Sequence, residues 1–127
     1  MPDAKTSLTM RFALLALAVA ACSPPRAAPD PPQPAGAQLF RRLGCSECHA
    51  VTALGVRATY DVAPDLTYAY ADVVNRYGMN LESFLANPTG VMRMMLGAHI
   101  DLTVADRDSI VMILKALHVQ QRADAAR

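Results

Sequence analysis

Cys45-Ser46-Glu47-Cys48-His49 constrains this chain more than any other stretch. The two thiols are three residues apart and the imidazole is four from the first thiol, so in a helical turn all three side chains project from one face. Three chemistries use such a set. A zinc site wants four ligands, usually with a second Cys or His pair, and the only other histidines, His99 and His118, are nineteen residues apart. A thiol redox pair sits after a strand in a β-α-β pattern, which the flanking sequence does not show. Two thiols that add across the two vinyl groups of one porphyrin, with the next residue ligating its iron, need this spacing. The residues favour covalent haem attachment through Cys45 and Cys48, with His49 on the iron.

The rest of the chain bounds what can surround that motif. At 127 residues it has room for one domain. Hydrophobic residues at 53% and charged residues at 18% exclude a disordered chain. A net charge of +1 supplies no single-sign field for nucleic acid or for a polybasic membrane surface. Aromatics are only 6% and Trp is absent, so the core is poor in large fillers and is expected to lean on a bound group.

The amino terminus reads as a processing segment covering residues 1–21. Lys5 and Arg11 precede a ten-residue apolar run from Phe12 to Ala21, whereas a spanning helix needs roughly 20. A basic start, a short apolar stretch and small residues at its end are the marks of a secretory signal. Val19-Ala20-Ala21-Cys22 resembles the lipobox of bacterial lipoproteins, which implies lipidation of Cys22. An unpaired thiol there would otherwise be a liability in an oxidising compartment. Residues 22–35 then carry Pro24, Pro25, Pro29, Pro31, Pro32 and Pro34, which exclude helix and sheet. Extended at roughly 3.1 Å per residue, this tether reaches up to about 40 Å. Loss of Lys5, Arg11 and Asp3 with the leader leaves the mature charge near zero.

Residues 36–120 form the expected domain. Leu39, Phe40 and Leu43 fall at helical spacing, with Arg41 and Arg42 left to solvent. A short helix from Tyr70 to Tyr77 closes at Gly78, and another from Leu81 to Ala86 stops at Asn87-Pro88. Pro88 to Leu96 reads as a loop. A last helix begins at Thr103, with Asp106 in the capping-box position, and presents Ile110, Ile113, Leu114 and Leu117 to the core. The polar, alanine-rich residues from Gln120 onward, and 121–127 above all, are expected to fray.

Gly36-Ala37-Gln38-Leu39-Phe40 ahead of Gly44 and the pentapeptide, followed by Ala63-Pro64-Asp65-Leu66, resembles the class I cytochromes c of the small bacterial lipoprotein type. The likeness runs from about Gly36 to Leu117, with Ala63 standing where the family has Gly. It implies an all-α fold with helices packed around one covalently bound haem c. It further implies packing of the first helix on the last, and a Pro64 carbonyl that accepts the His49 N–H and fixes the ring. The segment after Pro88 is where the family presents a distal methionine. Met92, in a Pro-x-x-x-Met arrangement, is the expected iron ligand, with Met94 and Met95 as alternatives. Met79 and Met112 are read as core filler, His99 as a loop residue and His118 as a surface cation near the end of the last helix.

A haem with both axial positions filled exchanges electrons and binds no substrate, and no nucleophile elbow, H-E-x-x-H or phosphate loop occurs elsewhere. The expectation is a carrier that is not itself an enzyme, lipid-anchored on the periplasmic side of a bacterial membrane. It would pass electrons from a quinol-oxidising complex to a terminal oxidase or reductase. The stretch Phe84 to Met92 also resembles small lipoprotein cytochromes associated with nitrous oxide reduction. The alternatives are a haem-based gas sensor with a weak or absent methionine ligand, and an electron-transfer subunit of a larger oxidoreductase.

Overall fold

The computed structural model describes residues 34–127. The leader, the lipidation candidate Cys22 and the tether as far as Gln33 lie outside the described residues. Every regular element among those described is helical. α1 spans Ala37–Arg42, α2 Ala69–Tyr77, α3 Leu81–Ala86, α4 Gly90–Ala98 and α5 Val104–Ala125. Three single 3-10 turns, Cys45–Glu47, Thr52–Leu54 and Leu66–Tyr68, bridge α1 to α2. The all-α class expected from the sequence is therefore observed. None of these helices is long and apolar enough to cross a membrane.

The core gathers on α5. Ile110, Val111, Leu114 and Leu117 recur at three- and four-residue spacing and are all buried. They join one cluster with Phe40 of α1, Val73 of α2, and Leu81 and Phe84 of α3. Phe40 is fully buried, and its side chain contributes about 1.5–3 kcal/mol by leaving water. Leu39 and Leu43 are half-buried against the same cluster. Gly36 lets α1 begin where it does. Its φ is +93°, and a Cβ there would lie 2.9 Å from Ile113 Cδ1 of α5. The position needs both a left-handed backbone and the absence of a side chain. Arg42 of α1 then pairs with Asp106 of α5 at 2.6 Å.

Side-chain caps start α3 and α5. Asn80 accepts from the Ser83 N–H at 2.8 Å to start α3, and Asn87-Pro88 follows its end. Thr103 Oγ1 accepts from the Asp106 N–H at 3.1 Å and donates to the Asp106 carboxylate at 2.7 Å, which starts α5.

Three expectations are corrected. The segment after Pro88 is not a loop: α4 is a nine-residue helix entered from an extended Thr89, because Met, Arg and Leu are good helix formers and no proline interrupts them. α5 does not fray at Gln120 but continues to Ala125. Gln121 Nε2 donates to the Thr67 carbonyl at 3.3 Å, pinning the far end of the helix to the body. His118 is not a bare surface cation near the helix end. It is half-buried, with its ring 5.4 Å from that of Tyr70.

Candidate functional site

α1 delivers the chain into the 3-10 turn at Cys45. Within it the Cys48 N–H donates to the Cys45 carbonyl at 3.3 Å and the His49 N–H to the same oxygen at 2.9 Å. This compact turn carries Cys45, Cys48 and His49 to the wall of one cavity of about 430 Å³, within the usual size range of cofactor sites. The other walls are mainly apolar: Val73 from α2, Leu81 and Phe84 from α3, and Ile110 and Leu114 from α5.

His49 Nδ1 lies 2.7 Å from the Pro64 carbonyl oxygen. A carbonyl can only accept, so Nδ1 carries a proton, and Nε2 is the ring nitrogen not engaged by Pro64. Pro64 is itself held from both sides. The Ala63 N–H donates to the Cys48 carbonyl at 3.2 Å and the Leu66 N–H to the Ala50 carbonyl at 2.8 Å. The Asp65 carboxylate accepts from the Thr52 hydroxyl at 2.6 Å, the Thr52 N–H at 3.2 Å and the Thr67 N–H at 2.9 Å. Partial burial pushes the Asp65 carboxyl upward, but these hydrogen bonds together outweigh it and hold it below the usual range. Thr67 Oγ1, on a buried residue, accepts in turn from the Ala53 N–H at 3.1 Å. Ala63 fits without strain, since among the described residues only Asp61 is a non-glycine with positive φ.

Both cysteines are free thiols. Burial pushes the Cys45 thiol up to about 11, opposed in part by a backbone hydrogen bond. A dithiol redox pair works through a thiolate of lowered pKa, and the Cys45 thiol has the opposite character. Among the described residues no three His, Cys, Asp or Glu side chains converge as a metal-ion cluster, which weighs against a zinc half-site.

α4 sorts the three candidate methionines. Met92 and Met95 line the cavity and are half-buried. Met94 is 62% exposed and does not line it. His99 is exposed at the end of α4, in a small recess formed by residues 96–101, and does not line the main cavity. Met79 packs partly buried against the core, but Met112 is 66% exposed and so is not the core filler expected of it.

No family model, no curated protein and no solved structure matches this chain.

The cavity also has walls that the motif reading did not single out. Tyr77 and Phe84 stack at 4.9 Å across the α2–α3 turn and both face the cavity. Asp72 and Arg76 add charged groups to the α2 side. The i, i+3, i+4 spacing of Leu81, Phe84 and Leu85 is the signal that could have marked this stripe, though not what it faces.

Proposed function

We propose that this chain is a monohaem c-type cytochrome of the class I type, acting as a membrane-tethered electron carrier. The observation that carries the reading is the 2.7 Å hydrogen bond from His49 Nδ1 to the Pro64 carbonyl. It holds the imidazole through Nδ1, which would leave Nε2 to ligate the iron, beside two free thiols on the same cavity wall.

The residues fit a covalent haem on several independent counts. Cys45 and Cys48 would form the two thioethers, His49 would ligate through Nε2, and Pro64 would hold the ring and raise its basicity. Met92, on the α4 wall, would fill the remaining axial position. A haem so held supplies a one-electron iron centre. The residues around it would exclude water from a largely apolar cavity and offer a soft thioether, and both effects favour the reduced form. With His49 and Met92 both holding the iron, no site would be left for a substrate, which favours electron transfer over catalysis. Cys22 would carry the lipid anchor on the periplasmic face. The partners would be a quinol-oxidising donor and a terminal oxidase or reductase, nitrous oxide reductase among the acceptors, and the near-zero mature charge argues against nucleic acid.

The test is expression with a working haem-attachment apparatus. The expected product is coloured, shows one haem c per chain as its pyridine haemochrome, and keeps its pigment in acidified acetone. A colourless product, or pigment lost to that solvent, would overturn the reading. Rapid carbon monoxide uptake by the reduced wild-type protein would instead favour the gas sensor.

A further inference from the structure

Met92 and Met95 are three residues apart on α4. At 3.6 residues per turn their side chains leave the helix about 60° apart around its axis and about 4.5 Å apart along it. Neighbours at this spacing share one face, and both sulfur-bearing side chains line the cavity that also receives His49. Met94, by contrast, is turned to solvent. Each thioether sits on three rotatable bonds, so a difference of this size can be absorbed by rotamer changes.

The helix that carries them is loosely held. It is the only one of the five α-helices among the described residues that buries none of its residues. It is entered through Gly90, whose φ of +59° is open to a backbone without a side chain, with nothing within 4 Å of where a Cβ would stand. No side-chain hydrogen bond caps its start. A small rotation of α4 about this entry would exchange which sulfur points deepest, at the cost only of the partial packing that Met92 makes against the core.

Resting on the haem reading above, we infer that Met92 and Met95 are an exchangeable pair of axial donors. Met92 is the principal ligand and Met95 takes its place when Met92 is lost. The axial position is thus served by a helix face and not by a single residue.

The test uses the full-length holoprotein and the volume-conserving variants Met92→Leu, Met95→Leu and the double variant, all checked for covalent haem by pyridine haemochrome. The readouts are the weak near-infrared sulfur-to-iron band of the oxidised protein and carbon monoxide uptake by the reduced protein. The expected result is that each single variant keeps the band and resists carbon monoxide, while the double variant loses the band and takes up the gas. Loss of the band in Met92→Leu alone would overturn the pair in favour of a single ligand. Loss in Met95→Leu alone would do the same with the roles reversed. Persistence in the double variant would assign the position to a residue outside the pair. A haem-free product in every variant and in the wild type would instead sink the haem reading itself.

Discussion

The two walls of the cavity that carry candidate ligands are built differently. From Cys45 to Thr67 the chain has little regular structure, yet it is stitched by backbone bonds from Ala63 to Cys48 and Leu66 to Ala50, and by the side chains of Asp65 and Thr67, which both bond Thr52. α4 has regular helical bonding but buries no residue and gains no side-chain cap. Secondary structure and rigidity are therefore separate properties here. The irregular segment fixes one imidazole in one orientation, and the helix presents two thioethers without choosing sharply between them. A site that needs a defined ring tautomer on one side and tolerates a flexible donor on the other can be made this way.

This contrast can be broken by experiment. The largest effect is expected from Cys45→Ala combined with Cys48→Ala, which should abolish covalent pigment entirely, as read by haem staining of the denatured chain. Retained covalent pigment would show that the irregular wall is not the attachment site. Next, Asp65→Ala removes the acceptor for two backbone N–H groups and the Thr52 hydroxyl. It should cost about 1–3 kcal/mol in denaturant unfolding, the usual penalty for orphaned donors.

Acid should act through the same residue. The Asp65 carboxyl is held below its ordinary value in the folded chain, so its stabilisation is complete above the unfolded carboxylate value of about 3.9 and is lost as pH falls through the lower folded value. Unfolding midpoints measured from pH 6 down to pH 2 should fall more steeply in the wild type than in Asp65→Asn. Parallel curves would remove Asp65 from the account. Amide exchange sharpens the comparison further: the Leu66 and Thr67 amides should outlast those in the middle of α4, because a helix without buried residues opens locally at lower cost. The smallest effect is expected for Met94→Ala, within about 0.5 kcal/mol, since its side chain is mostly in water.

Much of the fold was legible where the signal is local. Asn87-Pro88 marked the end of α3 at Ala86, and Thr103 with Asp106 marked the start of α5, because caps and prolines act within a few residues. The α4 segment was misjudged for the same reason. Pro88 and Gly90 look like loop signals and mask the helix formers Met92, Arg93, Met94, Met95 and Leu96 that follow, and nothing nearby in the chain says that this helix faces a cavity. The extension of α5 depends on Gln121 reaching Thr67, and the place of His118 on Tyr70, each across more than forty residues of sequence.

The sequence by itself determined that Cys45, Cys48 and His49 sit on one short turn, because residues at i, i+3 and i+4 are neighbours there. It also determined the apolar face of α5. Only the tertiary structure decided that Pro64 meets His49, that Met92 and Met95 face inward while Met94 does not, and that Tyr77 and Phe84 complete the wall. Those outcomes depend on the rotational phase of each helix and on hydrogen bonds between distant backbone segments, and neither is encoded in any short stretch of residues.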